Sequence, residues 1–476
     1  MAVTDAPIDD TAFRVEQRGI DHVPVDERWA RPRDLCAMWA GSGLQFEYLV
    51  YGALLMTFGF TFAQAIALIV IGNVSYLFLG LCSLQGPDAG TTVFTISRAG
   101  WGPNGARLIA FFNWITQIGF ESEGLILVVL AAEALTAKAG YHTGTGLKVV
   151  FIVAAALVQS VLPLLGHATV VKTLRALTVP FVIFFVLLAS LTLGHARFGA
   201  VHHGASWQLF LVGLAFTITL SGLGWVENGN DYSRYLPTDA SPRAIVGYVF
   251  VGGAVPEILV MSLGAAVATF VPTAGGNPIS DFPHAFPGWF LVPFLIVTMI
   301  QLFGINSLDL YSSGVTLQAL GLSVRRWQAV LIDTVLAGGV TTYAVFSSSF
   351  SKLLEDFVAV VIVWIAPWMA IFLVDWVLRG RRYVPAELQR TDRGGLYFRR
   401  GGVHRPAVVA HLLGGAAAVL TINTTFYASP VSRATGGADF SVFAGILVAG
   451  VAYLVLAGGS GRRERVTQER LLSVTA

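Results

Sequence analysis

The sequence predicts an all-α polytopic membrane protein with 12 transmembrane helices, ordered as five, five and two. Three observations predict it. Of 476 residues, 55% are hydrophobic and only 12% charged, about half the charged share of a soluble domain. Twelve largely apolar stretches are each long enough to cross roughly 30 Å of hydrocarbon. With both chain ends on one side, 25 of the 30 lysines and arginines fall in alternate connecting segments, the asymmetry of the positive-inside rule. One helix more or fewer would invert every later loop and spoil that asymmetry.

The spans run at about 34–59, 62–84, 104–136, 147–165, 170–194, 206–228, 243–271, 286–320, 326–346, 352–378, 406–427 and 439–458. Residues 1–33 are polar, carry Arg14, Arg18, Arg28, Arg31 and Arg33, and read as a cytoplasmic tail rather than a cleavable signal. Residues 34–194 then hold the first five helices and 195–378 the second five. The stretch 379–405, with eight arginines and Gly394, Gly395, Gly401 and Gly402, is a basic cytoplasmic loop; topology and contact with anionic lipid account for its charge. Helices 11 and 12 occupy 406–458, and 459–476 is a C-terminal tail. Both termini are expected in the cytoplasm, and the chain in the plasma (inner) membrane.

Composition excludes several classes. The 51 glycines suit close-packed membrane helices and show no Gly-X-Y period. A net charge of +2 gives no argument for nucleic acid. Cys36 and Cys82 fall at segment ends expected to be cytoplasmic, so no disulfide is implied. Neither a Walker A motif nor zinc-ligand spacing occurs, and no cofactor or metal is expected.

Two features point to function. Gly41-Ser42-Gly43 lies in the first third of helix 1, and Ser221-Gly222-Leu223-Gly224 late in helix 6, five helices on. Transporters built from two inverted five-helix repeats unwind their first and sixth helices at such points, where free backbone groups meet substrate and ion. Intramembrane acids are the second feature, since an unpaired carboxylate in hydrocarbon costs a few kcal/mol or more and usually faces a cavity. Glu47 follows the first break, Glu121 and Glu123 lie in helix 3, Glu257 in helix 7 and Asp309 in helix 8. Asn113, Gln117, Glu121 and Gly124 recur on one face of helix 3 and are expected to line the pathway, while Glu123 points elsewhere and is expected to make a structural hydrogen bond. Asn306 and Asp309 share one face of helix 8, and both could hydrogen-bond a planar polar ligand. Asp231 and Arg234, i and i+3 at the end of helix 6, are candidates for an inner gate, with positive-inside anchoring the plainer role of Arg234.

The strings GNVSYLFLGLCSLQGPDAGTTVFTISRAGWG (72–102), NDYSRYLP (230–237) and NSLDLYSSGVTLQALGL (306–322), with QRGIDHVPVDERW (17–29) before helix 1, resemble the purine-cytosine permease branch of the nucleobase:cation symporter-1 family. The similarity runs in order from about 17 to 460. The resemblance implies a LeuT-type fold: a bundle of helices 1, 2, 6 and 7, a scaffold of 3, 4, 8 and 9, flexible helices 5 and 10, and an appended pair. It also implies a flat heterocycle sandwiched between aromatic residues of helices 3 and 6 and read by amides of helices 3 and 8.

Carried onto this sequence, the resemblance makes Ser42, Gly43, Gln45, Gly222 and Gly224 the broken segments at the substrate. Trp225 keeps its Gly-Trp pair, and Phe120 takes the stacking place on helix 3. Relatives often have Gly-Trp there with an amide four residues on; here Gly124 holds that position, and Gln117, one turn earlier, is the replacement. Asp309 stands where an Asn usually precedes Leu-Tyr-Ser, with Asn306 retained. Sodium-coupled relatives carry two helix 8 hydroxyls where this chain has Phe303 and Gly304. A hard cation needs oxygen ligands, so a proton is the expected partner rather than sodium, with Glu121 and Asp309 the candidate carriers.

The expected function is import of a nucleobase, cytosine or a purine, with a proton. A related heterocycle of vitamin-precursor, hydantoin or allantoin type, with sodium coupling open to it, is the alternative within the transporter class. A non-transporting sensor or intramembrane enzyme is the alternative outside it; the missing metal and nucleophile motifs count against that reading.

Overall fold

The computed structural model describes residues 19–199, 204–276, 278–347 and 350–475; Arg14 and Arg18 of the tail lie outside them. Among the described residues, ten helices are each long and apolar enough to cross a membrane. Span 1, divided into Pro32–Gly43 and Phe46–Thr57, and span 3, the continuous helix Pro103–Lys138, fit the two remaining places.

Span 1 breaks where glycine and serine weaken it. Ser42 Oγ donates to the carbonyl of Trp39 at 2.9 Å, and Leu44 (ψ 72°) and Gln45 (φ −149°, ψ 166°) leave the helix before Phe46 restarts it. The break thus falls one residue past the Gly41-Ser42-Gly43 cluster. Span 6 runs as a helix over Trp207–Leu220, turns at Ser221 (ψ −137°), continues as a tighter 3-10 coil over Gly222–Asn228, and ends in the short helix Gly229–Ser233. Every residue from Gly213 to Leu236 is buried. Irregular backbone at membrane depth is tolerated only inside protein or beside a cavity, and these breaks meet that condition.

Span 2 also breaks, between Phe62–Asn73 and Tyr76–Cys82. Gly222 explains the fit: a Cβ there would run into the backbone of Ser75 and Tyr76, so the breaks of spans 2 and 6 nest together. Span 7 (Pro242–Ala268) crosses span 1 as closely, because Gly52 lies on the backbone of Met261 and Gly264 on that of Leu49.

Spans 1, 2, 6 and 7 pack on one another as a bundle. Span 3 packs along span 8 (Leu291–Ala319), with spans 4 (Thr145–Leu164) and 9 (Arg326–Ser347) beside them, as a scaffold. Span 5 (His167–Thr192) touches spans 1 and 8. Span 10 (Phe350–Leu378) packs against span 11 (Arg405–Thr421) and the helix Ser441–Thr475. That last helix contains span 12 and carries on to Thr475, into the tail expected at 459–476. Val150, Val179, Ile183, Leu447 and Val455 stand more than half exposed on spans 4, 5 and 12, an apolar exterior suited to lipid.

The loop 379–405 is more ordered than lipid contact requires. Arg379, fully buried, donates to Asp375 Oδ2 (2.8 Å), Glu464 Oε2 (2.8 Å) and the carbonyl of Ala99 (2.9 Å). Arg399 reaches Glu464 and the same carbonyl. Two of the eight arginines therefore fasten the final helix to the core.

Candidate functional site

The half of span 1 that follows its break and the break of span 6 face each other across a small cavity. Its wall takes Glu47, Tyr48 and Tyr51 from span 1, Phe120 from span 3, Gly224 and Trp225 from span 6, and Asp309 from span 8. The cavity measures about 20 Å³. That is room for about one water molecule, so a flat heterocycle enters only if rings part. Trp225 Nε1 donates to the Tyr48 hydroxyl at 3.0 Å, and its ring meets Trp39 edge-on at 5.4 Å. Phe120 stands edge-on to Phe357 of span 10 at 4.9 Å, and its Cζ lies 3.8 Å from the place a Cβ on Gly224 would take. A Cβ at Gly224 would run into the Thr219 carbonyl oxygen, so the turn of span 6 beside Phe120 needs glycine.

The structure brings together four of the expected substrate residues: Phe120, Gly224, Trp225 and Asp309. The others lie off the cavity. Ser42 is turned onto its own helix, Gly43 packs on span 7 (3.4 Å from Pro256 Cβ to a built Cβ), and Gly222 packs on span 2; they shape the breaks rather than line the pocket. Gln45 is buried at the break of span 1 with neither amide atom hydrogen-bonded. Gln117 Nε2 donates to Asn228 Oδ1 (3.0 Å) and Glu227 Oε1 (3.3 Å), which joins span 3 to span 6. Asn306 Nδ2 donates to the carbonyl of Glu121 (3.0 Å) and to Gln159 Oε1 of span 4 (2.9 Å), so it faces the scaffold interior.

Glu121 is fully buried with both carboxyl oxygens unpartnered, and its polar surroundings are Ser313, Asp309 and Asp333. The polar stripe on span 3 is thus chiefly its seam with span 8: Asn113 donates to Thr316 Oγ1 at 3.0 Å, and Gly124 leaves room for the Asn306 amide. A 3.6-residue period finds the face and not the neighbour it meets. Glu123 does make the structural bond expected of it, accepting from the Tyr51 hydroxyl at 2.6 Å.

At the far end of span 6, Asp231 Oδ1 accepts from the N–H of Val93 at 3.0 Å. Arg234, fully buried, donates to the carbonyl of Gly19 (2.7 Å), the Tyr311 hydroxyl of span 8 (2.7 Å) and the Tyr235 hydroxyl (3.1 Å). Ala30 N–H donates to the carbonyl of Tyr235 at 3.1 Å, and Arg28 to that of Leu236 at 3.3 Å. The N-terminal segment, span 6 and span 8 are tied into one closed end.

Phe303 and Gly304 contribute no side-chain oxygen to span 8. Span 5 packs against this place: a Cβ on Gly304 would lie 3.2 Å from Leu174 Cδ2, and one on Gly41 of span 1 3.0 Å from the Leu174 carbonyl oxygen and 3.2 Å from Thr178 Oγ1. Tyr48 and Tyr51 were missed by sequence reasoning as parts of the site. Tyr48 and Tyr51 sit one and four residues past Glu47, a phase that places all three near one cavity and was readable once the break was located.

Two repeats of five helices, each opening with a broken helix, around a buried aromatic cavity with carboxyl groups define a secondary transporter of the LeuT type. Residues 22–445 match the family model described as permease for cytosine/purines, uracil, thiamine, allantoin. Over 477 aligned residues the chain is 28% identical to YxlA of Bacillus subtilis (strain 168), provisionally assigned as a purine-cytosine permease, covering 97% of this chain and all of that one. It is 24% identical to the purine-cytosine permease fcyB of Emericella nidulans, over 93% of this chain and 88% of the relative. Its fold resembles that of Mhp1, a nucleobase-cation-symport-1 family transporter solved in a closed conformation with bromovinylhydantoin bound (TM-score 0.72, 16% identity, 94% of this chain and 100% of that one). The chain belongs to the cytosine–purine permease family of nucleobase:cation symporters.

Proposed function

We propose that the protein imports cytosine or a purine base together with a proton, by alternating access across the plasma (inner) membrane, with both termini in the cytoplasm. The cavity carries this reading. Phe120 and Trp225 offer two aromatic faces where the broken helices meet, and Asp309 stands beside them. Stacking holds any planar base, and a carboxyl selects among bases by accepting from ring or exocyclic N–H groups. The two relatives named as purine-cytosine permeases support the same substrate class.

Phe303 and Gly304 favour a proton over sodium, since a hard cation needs oxygen ligands and these two positions of span 8 supply no side-chain oxygen. In this mechanism the parting of Trp225 from Tyr48 admits the base, and release of Arg234 from Gly19 and Tyr311 opens the cytoplasmic side. Uptake of radiolabelled cytosine and adenine into proteoliposomes, with a competition panel of bases, nucleosides, vitamins and hydantoins, tests it. An inward proton gradient should drive uptake, and replacing sodium with potassium or choline should leave it unchanged. Strict sodium dependence, or competition by hydantoins or vitamins alone, would overturn it.

A further inference from the structure

Three helix breaks converge on one carboxyl that the cavity does not contain. Glu257 lies mid-way along span 7, directly after Pro256, and is fully buried. Tyr76, the first residue after the break of span 2, donates from its hydroxyl to Glu257 Oε2 at 2.7 Å. Ser221, where span 6 leaves the helix, donates from Oγ to Oε1. Gly43, at the break of span 1, packs on the same turn: a Cβ there would lie 3.5 Å from the Gly253 oxygen and 3.7 Å from the backbone nitrogen of Glu257.

The groups facing this carboxyl are Tyr48 from span 1, Asn73 and Tyr76 from span 2 and Ser221 from span 6, with Glu47 beyond Tyr48; none of them is a cation. Tyr48 is also the acceptor of the Trp225 indole N–H. Tyr48, which holds Trp225 at the cavity wall, therefore stands beside Glu257.

We propose that Glu257 is the carboxyl that carries the transported proton, and that Tyr48, placed between Trp225 and this carboxyl, couples its protonation to substrate; this rests on the proton-coupled reading above. A buried charge without a counter-ion is tolerable when donors surround it, and hydroxyls both donate and accept, so the same shell holds the carboxylate and the carboxylic acid. Protonation forms an O–H bond at Oε1 or Oε2, turns that oxygen from acceptor to donor, and makes Ser221 or Tyr76 exchange roles. Those residues sit at the hinges of spans 6 and 2, so the proton acts where the bundle must bend. The proton is then released on the opposite side with the substrate. Asp309 and Glu121 belong instead to the scaffold and lie at no break.

The test compares wild type, Glu257→Gln, Ser221→Ala and Tyr76→Phe in proteoliposomes with radiolabelled cytosine and adenine. One pH unit across the membrane should accumulate a neutral base about tenfold in the wild type. A wild type that transports either base while ignoring the gradient overturns the proton-coupled reading itself. Glu257→Gln should exchange internal for external base yet accumulate none against its gradient. Gradient-driven accumulation in this variant, beside a gradient-driven wild type, overturns the role of Glu257 alone. Ser221→Ala and Tyr76→Phe keep the carboxyl and decide the matter even where Glu257→Gln does not fold. Each should displace the pH midpoint of uptake by about one unit, since a bond to a charged group has been lost. Midpoints unmoved in both would overturn the proposal.

Discussion

Truncating Trp225 to alanine should weaken base binding about 5- to 140-fold. The figure comes from what its ring can offer. Trp225 is 7% exposed, one edge is taken by Trp39 at 5.4 Å, its N–H is taken by Tyr48, and the remaining surface lines the cavity. Stacking of a base on one aromatic side chain is worth about 1–3 kcal/mol, and each 1.4 kcal/mol is about tenfold in affinity. Losing the Tyr48 hydrogen bond adds about 1 kcal/mol to the cost in stability, a separate quantity read from thermal unfolding. Trp225→Phe keeps a stacking face while removing the N–H, so it should retain most of the affinity. Scintillation-proximity binding of labelled base to purified, monodisperse protein gives the dissociation constants. Trp207→Ala, at a position 57% exposed and outside the cavity, is the control expected to bind as wild type. Unchanged affinity in folded Trp225→Ala and Phe120→Ala would remove both rings from the site, and equal loss in Trp225→Phe and Trp225→Ala would place the effect on the N–H.

Asp309→Asn should retain pH-driven accumulation but reorder the competing bases; loss of accumulation with exchange intact would put the proton on Asp309. Glu121→Gln, which alters a carboxyl off the cavity, should leave both accumulation and selectivity in place, and failure of accumulation in a folded variant would restore it as a carrier. Charge reversal of Asp231, or Arg234→Gln, should raise labelling of a cysteine introduced at the closed end from the cytoplasmic side; unchanged labelling and uptake would leave Arg234 as a topological anchor. Arg379→Met leaves Asp375 and Glu464 without their shared cation and should cost about 3–5 kcal/mol, seen as a lower Tm, and an unchanged Tm would show that Arg399 holds Glu464 unaided.

The spans and two of the breaks were legible because each depends on local chemistry. Apolar length reports a membrane crossing, and glycine beside serine reports a helix that fails to continue. Phe120, Trp225 and Asp309 were legible through their place in motifs. Asn306 shows the limit. Helical phase put it with Asp309, yet the Gln159 amide on span 4 and the carbonyl of Glu121 draw it into the scaffold, and no spacing within span 8 encodes partners contributed by other spans.

The break of span 2 fails to show in the sequence for a related reason. Val74 and Ser75 form no glycine or proline signal of their own; the helix yields there against span 6, whose Gly222 lets two interrupted backbones come into contact. The sequence marks this break on the partner helix. The same holds for Glu257, which read as one acid among several until Tyr76, Ser221 and Gly43 were found around it. Each comes from a different span and each stands at an interruption. A helix that unwinds inside a membrane must satisfy its freed polar groups from its neighbours, so broken helices gather around one another and around shared polar side chains. The interruptions of spans 1, 2 and 6 are therefore the positions at which this bundle holds Glu257, and in the mechanism proposed above conformational change and proton binding draw on the same few hydrogen bonds.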